Sequence, residues 1–280
     1  MADAVSRAGR HARAVSRFKW NPGRGLVPPP ASETATVSFI KIEGRTYAVT
    51  ARHVLESFDD LARKEGVPFE GYACINSPGV AISPPFLTPP PGFGQRQPDI
   101  AIRPIDERLP AHVGKAAFEI LPGGNARWPI EFAVAVGFPT AEKHDIQDER
   151  GLTRLAMPCV HAFAEGLGSP GTSDQVQFHS ELPERPLVTS LSGMSGGPVF
   201  WSDAENYGML GFVKEALDVT PKEGEETFYT EPKVNFICQR VDFEILTRWA
   251  EFVDANWPAA VEHLNEQVRN FQITSRRGET

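Results

Sequence analysis

A glycine-rich turn around Ser195 is the feature that most constrains the fold of this chain. Segment 190–200 reads SLSGMSGGPVF, and its three glycines allow backbone angles that other residues rarely adopt. Such a turn exposes a side chain and lets amide N–H groups point at a developing oxyanion. Pro198 excludes a long helix after the serine, so residues 199–201 are predicted to form a strand. The turn predicts an exposed nucleophile, although an incidental serine in a glycine-rich loop is the alternative.

His53 and Asp99 are candidates for the base and the acid that such a serine needs. His53 follows a predicted apolar strand, and Asp99 immediately precedes the apolar run 100–102. Taken singly, the histidine would pass for a core residue and the aspartate for an ordinary strand start. Taken with Ser195, they form the set that acyl transfer requires, in which a carboxylate orients a histidine that accepts the serine proton.

These three segments resemble, in the order His, Asp, Ser, the signature motifs of the chymotrypsin-like (trypsin-like) serine peptidases. The resemblance covers about residues 35–246, and the predicted strand 131–139, which ends in Gly-Phe-Pro, is similar to that of bacterial members. It implies an all-β fold of two antiparallel six-stranded β-barrels (chymotrypsin-like) with a C-terminal helical extension. His53 and Asp99 would come from the first barrel and Ser195 from the second.

The resemblance also implies the activity of a serine endopeptidase. Ser195 would attack the peptide carbonyl and form an acyl-enzyme, His53 would act as general base and then as general acid, and Asp99 would orient His53. The backbone N–H groups of Gly193 and Ser195 would form the oxyanion hole. In zymogen-forming relatives, an aspartate at the position of Met194 pairs with a newly cut N-terminus and so shapes the oxyanion hole. With methionine there, that activation route is closed. The activity would then be constitutive or controlled in another way. No metal or organic cofactor is expected.

The peptidase domain is expected to span residues 31–246, with barrel one at about 31–107 and barrel two at about 130–240. Segments 36–42 and 45–50 flank a Glu-Gly pair, which predicts a tight hairpin that leads towards the candidate histidine. Proline (25 residues) and glycine (24 residues) are frequent, which suits many short strands joined by turns better than a helical bundle.

Two segments flank this domain. Residues 1–30 are predicted to form a basic N-terminal tail, because six basic residues before position 25 face one aspartate. A cationic helix that binds an anionic partner, or an organelle presequence, are the alternatives to a solvated tail. Residues 242–273 are predicted to form C-terminal helices, the first of which packs on the second barrel, with a break or kink at Pro258.

The residues that decide substrate preference follow from the same resemblance. The base of the pocket for the side chain before the cut bond is expected at Thr189, and its walls at Lys214, Glu215 and Ala216. A neutral threonine offers no carboxylate to pair with arginine or lysine, and an unpaired buried cation is costly. We therefore expect small or medium uncharged side chains to be preferred. Glu215 turned inward would instead favour basic side chains, and Lys214 acidic ones.

Charge and cysteine content restrict the partners and the compartment. The net charge of −8 argues against general nucleic-acid binding, and no apolar run approaches the length of a membrane span. The three cysteines, Cys74, Cys159 and Cys238, are too few for a disulfide framework, and no secretory signal is recognised, so a cytoplasmic protein is expected. The expected partner is a protein or peptide substrate, and a regulatory protein is a second candidate.

Two other function classes fit parts of the sequence. Gly-Met-Ser-Gly-Gly also matches the nucleophile elbow of the α/β-hydrolases, which would make the protein an esterase. That fold needs a helix after the serine and usually a base downstream of it, and Pro198 and His53 disagree with these requirements. A peptidase-like binding module that has lost turnover is the other alternative. The three intact residues argue against it, although they do not show that the oxyanion hole is formed.

Overall fold

A computed structural model describes residues 8–17, 19–21, 25–27, 34–65, 71–75, 80–92, 96–147, 153–181, 190–203, 205–217 and 233–277. In chain order, the strands before residue 125 are β1 (Ala12–Arg17), β2 (Lys19–Asn21), β3 (Gly25–Val27), β4 (Thr34–Ile42), β5 (Arg45–Thr50), β6 (Tyr72–Cys74), β7 (Ala81–Ile82), β8 (Ala101–Pro104) and β9 (Phe118–Ile120). The later strands are β10 (Ile130–Gly137), β11 (His144–Gln147), β12 (Thr153–Ala156), β13 (Val160–Leu167), β14 (Gln175–Glu181), β15 (Pro198–Ser202), β16 (Tyr207–Leu217) and β17 (Lys233–Arg240). The α-helices are α1 (Arg52–Lys64), α2 (Leu109–His112) and α3 (Phe243–Arg277), and 3-10 helices span Gly9–His11 and Thr140–Glu142.

Most of the described strands belong to two sheets. The first has the order β7-β6-β1-β4-β5-β8 and is antiparallel except for β9, which pairs with β4 in parallel. The second has the order β13-β10-β15-β16-β17-β14 and is antiparallel throughout, and it curls because its end strands β13 and β14 contact each other. β2 pairs with β3 and β11 with β12 as separate hairpins. The prediction of a mainly β fold with antiparallel sheets and a C-terminal helix is therefore confirmed.

The predicted hairpin is formed by β4 and β5. Its turn residues Glu43 and Gly44 have φ angles of 48° and 83°, and positive φ at both central positions is what a tight two-residue hairpin turn requires. β5 ends at Thr50, and α1 begins two residues later at Arg52. The hairpin therefore sets the position of His53, the second residue of that helix.

The N-terminal segment contributes a strand to the first sheet, which differs from the tail expected for residues 1–30. β1 pairs with β4 on one side and with β6 on the other, and Ala14, Val15 and Arg17 are each 2% exposed. The Arg17 guanidinium donates to a carboxylate oxygen of Glu65 at 2.9 Å. The many arginines led to the prediction of a solvated tail. The small and apolar residues of β1, such as Ala14 and Val15, allow the strand to be buried all the same. Residues 1–7 lie outside the described part of the chain.

Helix α3 is continuous through Pro258, where the sequence predicted a break or a kink, so the helix is not broken there. A proline removes a single backbone donor, and the residues on both sides keep helical geometry. Among the strands, the helix makes its main contacts with β4 and β8 of the first sheet, whereas packing on the second sheet was expected. Phe212 of the second sheet shares a buried cluster with Trp249 of the helix. The Trp249 indole N–H donates to the Pro90 carbonyl at 2.9 Å, and the Tyr47 hydroxyl donates to Asp254 at 2.9 Å. These polar contacts explain why the helix docks there.

No helix in the described ranges has both the length and the apolar character needed to cross a membrane.

Buried apolar side chains join the two sheets into one core. One cluster lies within the first sheet and α1, and another lies within the second sheet. A third contains Ile40 and Tyr47 of the first sheet, Phe200 and Phe212 of the second, and Trp249 of α3. The loops at the ends of the two sheets are thereby held against each other.

Trp249 gives a direct test of this packing. Because the side chain is fully buried in the cluster shared by both sheets and α3, Trp249→Ala is expected to lower the free energy of unfolding by about 3–5 kcal/mol. Urea unfolding followed by circular dichroism measures the loss. Glu251→Ala, an exposed position on the same helix, is the control and should leave stability almost unchanged. Equal stability of the two variants would contradict the docking of α3.

Candidate active site

Ser195 lies on the turn 190–197, which leads directly into β15. Gly193 and Gly196 have φ angles of 99° and 86°, a region that glycine adopts without strain. A Cβ atom at Gly193 would also lie 2.6 Å from the hydroxyl oxygen of Thr140, a distance that no side chain could tolerate. After the turn the chain forms a strand from Pro198, as predicted, and not the helix that a hydrolase elbow needs.

Asp99 holds His53 through two hydrogen bonds. One carboxylate oxygen of Asp99 lies 2.7 Å from Nδ1 of the His53 ring, and the other accepts the backbone N–H of His53 at 2.9 Å. The backbone N–H of Arg52 also donates to the Asp99 carbonyl at 3.3 Å. Amide groups in the first turn of a helix lack partners within the helix, so the carboxylate satisfies one of them. The same side chain therefore fixes both the start of α1 and the orientation of the ring.

The environment of Asp99 keeps its carboxylate ionised. Burial alone would raise the pKa of Asp99. Two effects lower it by more than burial raises it: hydrogen bonds from the His53 ring and backbone, and the charges of His53 and Lys214. The pKa of Asp99 is therefore lowered overall. The Asp99 side chain is 8% exposed, whereas that of His53 is 47% exposed. In a neutral imidazole, a carboxylate that accepts from Nδ1–H selects the tautomer that carries its lone pair on Nε2.

An open cavity of about 550 Å³ brings His53, Asp99 and Ser195 together. The cavity has no dominant charge. Its lining includes three basic residues, Arg52, Arg96 and Lys214, and three acidic ones, Asp99, Asp174 and Glu215. The three residues that the sequence singled out, which are far apart along the chain, thus share one cavity.

The Ser195 hydroxyl donates to the backbone carbonyl of Lys214 at 3.3 Å. It does not donate to the His53 ring in this arrangement. An O–H···O hydrogen bond of this length is weak, because such bonds usually measure about 2.7–2.8 Å. The hydroxyl is therefore held loosely and faces β16 rather than the histidine.

The amide groups proposed for the oxyanion hole are oriented by the carbonyls next to them. The Ser192 carbonyl accepts from the backbone N–H of Thr140 at 2.7 Å, and the Met194 carbonyl accepts from that of Gly197 at 2.9 Å. Both following peptide bonds are trans, so the N–H groups of Gly193 and Ser195 point away from these partners. Neither N–H has an acceptor within the described residues, and both are available to a ligand.

The residues expected to form the substrate pocket are partly described. Lys214, Glu215 and Ala216 line the cavity, and the charge of Lys214 acts on Asp99. Thr189 lies outside the described residues. The sequence analysis missed Gln239, a 3% exposed side chain that also lines the cavity and donates to the Asp174 carbonyl at 2.9 Å. Polar residues recur along β17, at Lys233, Asn235 and Arg240, so no local pattern distinguished Gln239.

Three buried hydroxyl side chains of β4 were also missed. Thr34, Thr36 and Ser38 alternate along the strand and are 8%, 0% and 0% exposed. Their hydroxyls bond to the second-sheet segments that carry and support the Ser195 turn. Alternating hydroxyls on one face of an apolar strand were a sequence signal for such an interface, since buried hydroxyls need partners.

A second cavity, of about 350 Å³, lies between β9, β16 and the start of α3. Phe118, Tyr207, His11 and Asp242 are among its lining residues. None of the predicted site residues is among those described there. The cavity that contains Ser195 is therefore the candidate active site.

Comparisons with known proteins leave the site to be judged on its own residues. No protein-family model and no curated protein matches the chain. Solved structures do match, among them one described as "Aromatic interactions drive the coupled folding and binding of the intrinsically disordered Sesbania mosaic virus VPg protein". That structure is 14% identical, with 80% of this chain and 85% of that chain covered, at a TM-score of 0.36. A likeness at this level carries no functional argument.

The lowered pKa of Asp99 predicts how its contribution to stability depends on pH. The ionised carboxylate stabilises the fold fully above the ordinary carboxyl pKa of 3.8, and this contribution is lost as the pH falls through the lowered native value. Asp99→Asn should therefore reduce the free energy of unfolding at about pH 7 and reduce it less at about pH 3. Urea unfolding at both pH values measures the difference, with Asp60→Asn, an exposed aspartate of α1, as control. An equal loss at both pH values would contradict the shift.

Proposed function

We propose that this protein is a serine endopeptidase of the chymotrypsin-like type. Ser195 is the nucleophile, His53 is the general base and then the general acid, and Asp99 orients His53. The observation that carries the proposal is the 2.7 Å pairing of the Asp99 carboxylate with the His53 ring, in the same cavity as the Ser195 hydroxyl. A carboxylate, an imidazole and a hydroxyl in one cavity suit acyl transfer.

The proposed reaction has two halves. With Nδ1–H donated to Asp99, the lone pair of His53 Nε2 accepts the Ser195 proton as the serine oxygen attacks the peptide carbonyl. The imidazolium returns that proton to the leaving amine as the C–N bond breaks, which leaves an acyl-enzyme. Water then attacks the acyl carbonyl and gives a proton to Nε2, and His53 returns it to the serine oxygen as the ester bond breaks. The chemistry requires no cofactor.

Gly193 and Ser195 are the proposed oxyanion donors. Their backbone N–H groups have no acceptor among the described residues and point away from the anchored carbonyls of Ser192 and Met194. Loss of one such donor typically costs about 2.7–4 kcal/mol of transition-state stabilisation. The conformation of this turn therefore matters to the rate as much as the His53–Asp99 pair does.

We propose further that the two sheets belong to two barrels with the site between them. The second is the expected antiparallel six-stranded barrel, and the first has six antiparallel strands with the parallel strand β9 in addition. His53 and Asp99 lie in the connections from β5 and into β8 of the first sheet, and Ser195 lies just before β15 of the second. Contact between the end strands of the second sheet supports closure there. An experimental structure in which either sheet stays open and flat would contradict this part of the proposal.

One observation favours a second candidate, a peptidase-like binding module without turnover. The Ser195 hydroxyl donates to the Lys214 carbonyl and not to His53. Rotation about the Cα–Cβ bond of Ser195 moves the hydroxyl, and catalytic hydrogen bonds are often formed only when substrate is bound. Measured turnover separates the two candidates.

The proposed substrate is a protein or peptide, cut after a small or medium uncharged side chain. Lys214, Glu215 and Ala216 line the cavity. The opposite charges of Lys214 and Glu215 support a pocket that favours neither a basic nor an acidic side chain. A regulatory protein partner and a cytoplasmic location stay predictions.

Removal of the nucleophile or the base tests the activity. Ser195→Ala and His53→Ala are each expected to lower kcat by about six orders of magnitude on a cleavable peptide, and the double variant should be scarcely worse, because such groups act as a unit. Ser202→Ala, at the far end of β15, and His112→Ala, in α2, are matched controls. Full activity in Ser195→Ala would rule out the proposed nucleophile, and no activity in the unaltered protein would favour the binding module.

A peptide library tests the pocket separately. Cleavage is expected after small or medium uncharged side chains, because Thr189, the expected base of the pocket, offers no carboxylate to a basic side chain. Mass spectrometry of the products identifies the cut bonds. Predominant cleavage after arginine or lysine would overturn the pocket assignment and leave the roles of Ser195, His53 and Asp99 untouched.

A further inference from the structure

Strand β4 presents a row of buried hydroxyls to the turn that carries Ser195. Thr34, Thr36 and Ser38 alternate along the strand, so their side chains lie on one face, and all three are buried. Burial of a hydroxyl is costly unless it is hydrogen-bonded, so each needs a partner. Every one of these partners belongs to the chain after residue 130, across the junction between the two sheets.

Thr36 makes the central contacts of this row. Its hydroxyl donates to the Gly193 carbonyl at 2.9 Å and accepts the backbone N–H of Phe138 at 3.1 Å. Its own backbone N–H donates to the Ser195 carbonyl at 3.2 Å. A hydroxyl has one proton, so acceptance from Phe138 directs that proton to Gly193. The Thr36 side chain therefore has a single defined orientation.

Neighbouring contacts hold the rest of the turn. The Ser38 hydroxyl donates to the Gly196 carbonyl at 2.7 Å, and the hydroxyls of Thr34 and Thr140 lie 2.7 Å apart. The backbone N–H of Thr140 in turn holds the Ser192 carbonyl at 2.7 Å. The Ser192 carbonyl and the Gly193 N–H belong to one planar peptide unit, so the contact of that carbonyl with Thr140 directs the Gly193 N–H. Thr36 holds the next unit, from Gly193 to Met194 (the Gly193 peptide), which links the two proposed donor residues.

Met194 replaces an ionic anchor with an apolar one. Its side chain is 1% exposed and packs in the apolar cluster of the second sheet. A buried thioether needs no charged partner, so the turn is held without an ion pair to a chain terminus. Its polar anchors come from β4 and Thr140 instead.

We propose that Thr36 is a positioning residue that holds the Gly193 peptide in the conformation of an oxyanion hole, so that the site is assembled without cleavage of the chain. This inference rests on the proposed function, because the oxyanion hole is defined by that reaction. The Thr36 hydroxyl touches neither substrate nor reacting atoms, and it acts only through the Gly193 carbonyl. Its loss leaves the Gly193 carbonyl and the Phe138 N–H without their partner, so the Gly193 peptide is then held, among the described residues, only by the Met194 N–H, which donates to the Leu191 carbonyl at 3.2 Å.

Thr36→Val is the test variant, because valine keeps the shape of threonine and removes the hydroxyl. Loss of a whole oxyanion donor lowers kcat by about 10²–10³-fold, so a misplaced donor is expected to lower kcat by about 10–100-fold with KM nearly unchanged. Thr36→Ser, which keeps the hydroxyl, should restore most of the kcat. Thr46→Val, at a buried threonine of β5 outside the cavity, is the matched control and should behave like the unaltered protein.

Two further measurements separate a specific effect on the oxyanion hole from a general disturbance of the active site. The rate of phosphonylation by a fluorophosphonate, whose P=O oxygen occupies the oxyanion hole, should fall in parallel with kcat. Modification of His53 by diethyl pyrocarbonate should proceed at the normal rate, since its contacts with Asp99 are unaltered. Thermal unfolding identifies a variant that does not fold. In that case Ser38→Ala, which loses one bond to the same turn, replaces Thr36→Val, with a fall in kcat at constant KM expected.

The outcomes distinguish this inference from the proposed function. Unchanged kcat in Thr36→Val, or a loss that Thr36→Ser does not restore, overturns the positioning role and leaves the endopeptidase intact. Absence of both hydrolysis and labelling in the unaltered protein overturns the proposed function. Hydrogen exchange of the peptide that covers residues 190–197 then decides the positioning role: faster exchange in Thr36→Val supports it, and equal exchange contradicts it.

Discussion

The Asp99 carboxylate is the interaction on which the rest of the site depends. It is nearly buried, so it needs hydrogen bonds, and it takes them from both the backbone and the ring of His53. The first bond ties the beginning of α1 to Asp99, two residues before β8, and the second orients the ring in the cavity. Local folding and the proposed chemistry thus share one side chain, and neither can be changed without the other.

The β4–β5 hairpin connects the two halves of the site. β5 leads into α1 and so places His53, while β4 bonds through Thr36 and Ser38 to the turn that carries Ser195. Because the strands are paired residue by residue, from Ser38 with Val49 to Ile42 with Arg45, the distance between histidine and turn is fixed by backbone hydrogen bonds. The buried apolar cluster that joins both sheets to α3 stabilises this arrangement.

Patterns that are local in the sequence predicted much of this, and contacts between distant segments were not predictable. The hairpin followed from Glu43-Gly44, and the strand after Ser195 followed from Pro198, because both depend on backbone angles that neighbouring residues determine. β1 was missed because its burial depends on strands on both sides. The docking of α3 was assigned to the wrong sheet, since a helical stripe such as Trp249 shows that one face is buried but not against what. The orientation of Ser195 towards Lys214 had no sequence signal.

The central claim is that Ser195 is a nucleophile whose reactivity depends on His53. Reaction with a fluorophosphonate followed by intact-mass measurement and peptide mapping tests it most directly, because the reagent marks the reacting side chain itself. We expect one adduct per chain, on Ser195, with labelling almost abolished in His53→Ala and retained in His112→Ala. Labelling at another residue, or equal labelling of Ser195→Ala and the unaltered protein, would contradict the claim.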